Sequence, residues 1–344
     1  MMPMARSHNN SMPTGGKTLI AAAQIKDLAV AVGFNLVGIA DPCVSAYARE
    51  YQAWLAQGQH GAMQYLEDSV AARTNLSRAF PWVKSVISVA MTYYTPEPAP
   101  PSAGEASLSD APATLPSADQ AIATARIARY AWGRDYHRVL MGHLRQLENE
   151  IRRLTADDFV SRAYVDTGPV HERELAARAG LGWIGKNTLL INPRHGSWFA
   201  LGELLTSLPL EFDSAQPDRC GSCTRCLDAC PTSALTPYQL NATRCISYHT
   251  LENRGDIPDE FHQPIREAQY ILGCDICQTV CPWNHRPLLS EEQDFQPQAP
   301  APTVKLQAVR QWRPEDWDRL TRGKAHRRAK LNMWQRTARI LEKQ

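Results

Sequence analysis

The sequence lacks any apolar run long enough to cross a membrane. Its hydrophobic stretches break within about ten residues, against the ~20 that a spanning helix needs. The opening MMPMARSHNNSMPTGGK has no apolar segment of the secretory kind. A cytoplasmic protein without membrane association is expected, with a disordered leader over 1–16. No G-x-G-x-x-G follows a strand pattern, so a Rossmann nucleotide site is unsupported, and GLGWIG has its glycines in the wrong order. The P-loop G-x-x-x-x-G-K-[ST] is missing, and no flavin signature stands out. The corrinoid signature D-x-H-x-x-G is missing too: DYHRVL at 135–140 begins it but lacks the glycine. Outside the cysteines no internal repeat is found. No subunit-interface pattern is evident, which leaves a monomer as the default.

What is present is a 344-residue chain, 44% hydrophobic and 21% charged, enough to bury a large core. Apolar spacing predicts a helix over 17–32 closed by Gly33, a strand at 34–40, and a helix over 44–67 with Tyr51, Trp54 and Leu55 on one face. KSVISVAMTYY at 84–94 reads as a buried strand. Residues 95–120 are rich in Pro, Ala and Ser without periodicity, which predicts a disordered insertion. Leu140, Leu144, Leu147, Ile151 and Leu154 form the apolar stripe of a helix over 137–154. SRAYVDTG at 161–168 reads as a strand ending at Asp166. A helix over 171–181 closes at Gly180 or Gly182, and two strands follow, joined by a turn at 192–196. The alternation predicts an α+β body, α/β-like in its order, over 17–212. Residues 213–288 hold the cysteine-rich region, and 289–344 form a Pro-rich linker and a basic helical tail. Residues 310–343 carry eleven Lys/Arg against four Asp/Glu, so the tail is +7 within a chain of net +2. That asymmetry points to a polyanionic partner.

Eight of the nine cysteines lie between 220 and 281. Without a secretory signal, such clustering argues for metal ligation over disulfides. Cys43 stands apart and reads as a free structural thiol. Cys220, Cys223, Cys226 and Cys230, followed by Pro231, give the C-x2-C-x2-C-x3-C-P run of bacterial ferredoxins. Three ligands on such a loop each reach one corner of an iron–sulfur cubane, while the fourth points to a neighbouring cluster. Cys274, Cys277 and Cys281, followed by Pro282, repeat the run with its first member replaced by Ile271. Cys245 is the spare thiol that fills the gap. Two [4Fe–4S] clusters are therefore expected, one on Cys220, Cys223, Cys226 and Cys281, the other on Cys230, Cys245, Cys274 and Cys277. The region is a ferredoxin-like electron relay, and motifs alone leave its acceptor open.

Several polar residues stand out by context. Asp166 ends an apolar strand before a Thr-Gly-Pro turn; facing a dry cofactor, its pKa should rise and it could deliver a proton. Lys186 and Asn187 follow the GWIG turn. Arg129, Asp135, Tyr136 and His137 gather in RYAWGRDYH, where the histidine reads as a satisfied core group.

RYAWGRDYH, YVDTGPVHERELAARAGLGWIGKNTLLI, the ferredoxin run, CISYHTLENRG and CDICQTVCPWN, in that order, resemble the epoxyqueuosine reductase family over about residues 17–288. The resemblance implies a cobalamin held between a catalytic domain and a two-cluster domain, as in the related reductive dehalogenases. It implies removal of an epoxide oxygen from a modified base at the tRNA wobble position, with an external electron donor of flavodoxin or ferredoxin type. Carried over residue by residue, it makes Asp166 the proton donor. It puts Arg73, Arg129, Asp166, Asn187, Leu190 and Ser247 in segments lining the cobalamin. The insertion at 95–120 departs from the family pattern and the tail matches loosely; there Trp334 and Arg336 are expected to stack on a base and hold phosphate. Two other readings compete. A dehalogenase-like corrinoid reductase of small molecules would have no need of a basic tail, and a plain electron-transfer protein would leave the 200-residue body unexplained.

Overall fold

The computed structural model describes residues 20–97, 123–155 and 158–342. The leader expected at 1–16 and nearly all of the insertion expected at 95–120 lie outside the described residues. Eleven strands are named in chain order: β1 (Leu36–Ala40), β2 (Ser85–Thr92), β3 (Thr124–Ile127), β4 (Ser161–Tyr164), β5 (Trp183–Ile184), β6 (Leu190–Ile191), β7 (Phe199–Thr206), β8 (Leu235–Thr236), β9 (Gln239–Leu240), β10 (Tyr270–Leu272) and β11 (Thr303–Lys305).

The body is built on a four-stranded sheet in the order β1-β2-β7-β4, antiparallel throughout. Antiparallel pairing makes the architecture α+β, because an α/β body would need parallel strands linked by crossover helices. Every residue of β2 is buried. Ile87, Val89 and Met91 face one core, and Val86 and Ala90 face another on the opposite side, so a central strand covered on both faces reads as a continuous apolar run. The helix α1 (Ala22–Ala31) and the long helix α2 (Tyr136–Leu154) cover the first face. Gly33 closes α1 with φ of +104°, a conformation that costs glycine little. Asp135 caps α2 by accepting the His137 backbone N–H. Leu140, Leu144, Leu147 and Ile151 are buried along α2 as the stripe requires; Leu154, at its last turn, is exposed. The helix α3 (Glu172–Arg178) covers the second face. It comes so close to β1 that a Cβ on Gly38 would lie 2.0 Å from the Ala179 carbonyl oxygen.

Three expectations change. The helix expected over 44–67 is interrupted: Ala48–Ala56 is helical, glycines at 58 and 61 take positive φ, and a short turn of helix resumes at Tyr65–Asp68. The strand expected to reach Asp166 stops at Tyr164, and Asp166 itself has φ of +57°. β6 and β7 flank the turn at 192–196 but belong to different sheets, since β6 pairs with β5 while β7 pairs with β2 and β4.

A second core joins three distant parts of the chain. β3 pairs in parallel with β10 and antiparallel with β11, so the body, the cysteine region and the tail give one strand each. Around this sheet pack Ile246, Phe261, Ile265, Val309, Met333 and Trp334. The tail therefore folds against the cysteine region. Trp334 is 1% exposed and packs on Trp312 and His326, and so has no face left for a base. The half-buried Arg336 donates to the carbonyls of His249, Asn253 and Gly255, which occupies it in holding the loop at 249–255. The expected RNA roles of Trp334 and Arg336 are thereby corrected: in a short amphipathic helix the apolar stripe is spent on the core. Trp334→Ala is expected to lower unfolding free energy by about 3–5 kcal/mol, read by urea titration; a loss below about 1 kcal/mol would remove Trp334 from this core.

Candidate active site

Asp166 sits on the loop after β4, where the backbone turns left-handed. For an aspartate that conformation costs about 1–2 kcal/mol, so the surroundings must hold it. Its N–H donates to the Glu172 carboxylate at the start of α3. The Arg73 guanidinium, from the short helix Val70–Thr74, donates to the carbonyls of Gly168 (2.9 Å) and Val170 (2.7 Å). The loop is thus fastened on both sides of its turn.

The Asp166 carboxylate faces a cavity of about 500 Å³, lined also by Arg73, Tyr51, Trp54, His171 and Glu172. Its side chain is 60% exposed, and that exposure is to the cavity. One oxygen accepts the Tyr136 hydroxyl at 2.8 Å and faces His137 Nε2 at 3.3 Å. His137 Nδ1 meets Asp135 at 2.6 Å, so the imidazole bridges two carboxylates from the first turn of α2.

Electrostatics follow from this arrangement. Burial disfavours a charged His137, but hydrogen bonds to Asp135 and Asp166 outweigh it and raise its pKa to about 9. Burial likewise disfavours an ionised Asp166, but His137 and Tyr136 hold its carboxyl below the usual carboxylate range. The rise expected of Asp166 against a dry cofactor does not appear in the protein alone, where the cationic neighbour outweighs desolvation. Glu172 moves the other way: burial and then the Asp166 charge raise it to about 8. In the protein alone, protons sit on either side of Asp166 at neutral pH.

The cysteines are all unbridged. They gather in two sets. Burial raises the Cys281 thiol, a backbone hydrogen bond at Trp283 opposes it, and the charges next in influence are those of Cys220, Cys226 and Cys223. Burial raises Cys277, followed by Cys274, Cys245 and Cys230. Cys281 has thus returned to the first run, and Cys230 has left it for the second set. A cavity of about 370 Å³ is bounded by Cys220, Cys223, Cys226 and Cys281. Among the described residues no three His, Cys, Asp or Glu side chains converge tightly enough for a single metal ion. Thiols spaced around a cavity suit a polynuclear group instead. Buried Gln278 and Asn284 fix the second run to the body: Gln278 donates to the Ser197 carbonyl and Asn284 accepts the Ser197 N–H, both at 2.7 Å.

One hairpin separates the two cavities. Ile184 and Thr188 line the Asp166 side, and Lys186, Asn187 and Ile191 line the thiol side. Buried Asn187 also donates to the Cys277 carbonyl at 3.2 Å, touching both sets. Of the other residues carried over, Arg73 lines the Asp166 cavity. Leu190 is buried in the core under α3. Ser247 lies in the short helix Ile246–Leu251, beside Cys245. Arg129 is stacked between Tyr94 and Trp132, and its backbone N–H donates to Asp275, between Cys274 and Cys277. Arg129, Leu190 and Ser247 are not among the residues lining the Asp166 cavity. The sequence marks Tyr136 and His137 only by context, the histidine as a core group, and gives no sign of a role for Glu172. The polar density of RDYH and HERE was visible, but their meeting with Asp166 arises only when the first turns of α2 and α3 converge.

Comparison with known proteins gives a consistent result. The family model "Epoxyqueuosine reductase QueG, DUF1730" matches residues 73–167, and "4Fe-4S double cluster binding domain" matches 219–284. The epoxyqueuosine reductase of Gloeobacter violaceus is 42% identical over 92% of this chain and 94% of its own. That of Pseudomonas aeruginosa is 38% identical over 98% of this chain and 88% of its own. Among solved structures, an epoxyqueuosine reductase with a tRNA-Tyr epoxyqueuosine-modified stem loop superposes with a TM-score of 0.77, at 28% identity over 93% of this chain and 80% of that one. The enzyme from Streptococcus thermophilus gives 0.78 at 29% identity over the same shares. With two relatives so similar along nearly their whole length, the chain belongs to the epoxyqueuosine reductase family of oxidoreductases.

Proposed function

We propose that this enzyme reduces epoxyqueuosine to queuosine at the wobble position of tRNA, with cobalamin as its reducing cofactor. Cys220, Cys223, Cys226 and Cys281 would hold one [4Fe–4S] cluster and Cys230, Cys245, Cys274 and Cys277 the other, which would pass on electrons from an external carrier, and Asp166 delivers protons. The observation that carries the reading is an aspartate in a cavity that a single hairpin separates from a set of four thiols.

The residues around the cavity suit such a cofactor. Tyr51, Trp54, Leu66 and Ile184 offer apolar surface, and His171 keeps a buried Nε2 without a partner among the described residues. Arg73 and Asp166 would face the bound group, with Asn187, Leu190 and Ser247 behind them toward the thiols. When bound, cobalamin would bring a strongly reducing cobalt centre to the substrate.

Removing an epoxide oxygen as water takes two electrons and two protons. The oxygen leaves first as an alkoxide, a strong base that requires an acid within reach. Asp166, protonated from His137 across their hydrogen bond, donates the first proton to it; the second, which carries the oxygen off as water, follows the same route once His137 has been reprotonated from solvent. Filling the cavity removes water from the Asp166 carboxylate and raises its proton affinity, which draws the proton from His137. A protein that merely carried electrons would have no use for this acid group.

The RNA contact rests on the exposed cations Arg322, Arg328 and Lys330, in place of Trp334 and Arg336. Tyr65, 46% exposed, lies under the Arg328 guanidinium and close enough to Asp166 to feel its charge. It offers an aromatic face for a splayed base near Asp166.

Reconstituted without oxygen, the protein is expected to bind one cobalamin and about eight irons, by absorption spectrum and metal analysis, and to convert epoxyqueuosine in an anticodon stem–loop, by mass analysis. Asp166→Asn should keep the cofactors and lose at least ~100-fold in turnover. An untouched epoxide with the fully loaded wild type would overturn the reading. Because the pKa of His137 is raised, the proton it stores is present at neutral pH and lost as pH rises through about 9. Turnover should fall on that alkaline limb, and His137→Gln should move the fall to lower pH. An identical pH profile in the variant would exclude His137 from proton supply.

A further inference from the structure

The two thiol sets differ in their access to solvent. Gly221, Ser222, Thr224 and Arg225, between the thiols of the first run, are all exposed. Gly273, Asp275 and Gln278, around Cys274 and Cys277, are all buried. An electron from outside therefore meets the first set first.

The surface around that set is unusual. The thiol cavity shares Arg219 with a neighbouring depression of about 570 Å³, lined also by Arg194, His195 and Gln216. On its other side it shares Cys281, Pro282 and His285 with a shallow hollow lined by Arg225 and Asp228. Three contiguous hollows thus surround one thiol set. Arg194, Arg219 and Arg225 are exposed, and Lys186 is half-buried on the rim. Among the described residues none of the four has a carboxylate within 4.0 Å, whereas most arginines of the tail are paired to acids. The one acid lining the hollows, Asp228, accepts the Thr224 hydroxyl; nearby Asp218 accepts the Tyr238 hydroxyl and the Cys220 N–H. Lys186 is spent locally, donating to the carbonyls of Gly221 and Cys223. That leaves three arginines free to meet a partner's charge.

We propose that Arg194, Arg219 and Arg225 form the docking face for the electron donor, a small acidic single-electron carrier protein. The inference rests on the proposed cluster assignment. Unpaired guanidinium groups around a surface redox centre attract such a carrier and orient it, and bidentate capture of its carboxylates fixes the approach. At each encounter the carrier is oxidised by one electron and the cluster held by Cys220, Cys223, Cys226 and Cys281 is reduced by one. The RNA side uses a different set of cations, Arg322, Arg328 and Lys330, and the two sets share no residue.

The reduction assay itself needs neither tRNA nor cobalamin. Cluster-loaded protein, its iron content verified, is mixed in stopped flow with fully reduced flavodoxin, and the loss of cluster absorbance is followed. Wild type should be reduced with a second-order rate constant that falls steeply as salt is raised. In the variant Arg194→Glu/Arg219→Glu/Arg225→Glu, the rate at low salt should drop about tenfold or more and lose its salt dependence. Reduction by the small reductant titanium(III) citrate should still go to completion, which reports intact clusters. A variant that takes electrons from flavodoxin at the wild-type rate would overturn the proposal. So would a variant that keeps that rate and instead binds an anticodon stem–loop more weakly, since the face would then serve RNA. Absence of iron in the wild type would defeat the cluster assignment itself, a separate failure.

Discussion

The return of Cys281 to the first cysteine run is the constraint on which the rest of this structure depends. Fifty residues separate it from Cys230, and the chain must turn back so that the two exchange sets. Neither run can then be completed without the other. That obligation explains the little regular structure between 213 and 288: the chain is drawn by sulfur positions, and short helices such as Arg225–Asp228 and Ile276–Thr279 merely fill the turns. It also explains the buried amides. Gln278 and Asn284 are costly inside a protein unless fully bonded, and here they are bonded to Ser197, which locks the sulfur-bearing turn against the end of the body's sheet.

The acid group is organised by a different logic. Asp166 is positioned by backbone, through Arg73 and Glu172, and charged by side chains, through Tyr136 and His137. The first pair sets where the carboxylate is; the second sets what it carries. Its left-handed backbone is affordable only because both neighbouring elements grip the loop.

Much of the fold was legible in the sequence because it depends on local pattern. β2 and α2 were readable as strand and helix because burial on two faces and on one stripe leaves distinct periodicities. The cysteine sets were readable because a short loop can reach only so far. What escaped had a common cause: it depended on partners distant in sequence. The basic character of the tail was plain, but so was the apolar series Met333, Trp334, Ile340 and Leu341, and only the meeting with Ile265 and Val309 decides which governs. The lowered pKa of Asp166 required His137, twenty-nine residues upstream, which alone looked like a core histidine. The interruption of the helix over 44–67 turned on glycines whose positive φ the amphipathic pattern overrode.

The three-stranded sheet has a consequence for how the molecule comes into being. Its strands leave the ribosome at residues 124, 270 and 303, and the last one pairs with the first. Until residues 303–342 have emerged, β3 keeps one bare edge, and the loops bearing Cys245 and Cys274 lack the floor that Trp334 and Met333 provide. A polypeptide cut short in that stretch would present its thiols on an unfinished platform, so the cysteine loops can be loaded only after the segment carrying β11 and Trp334 has folded onto them.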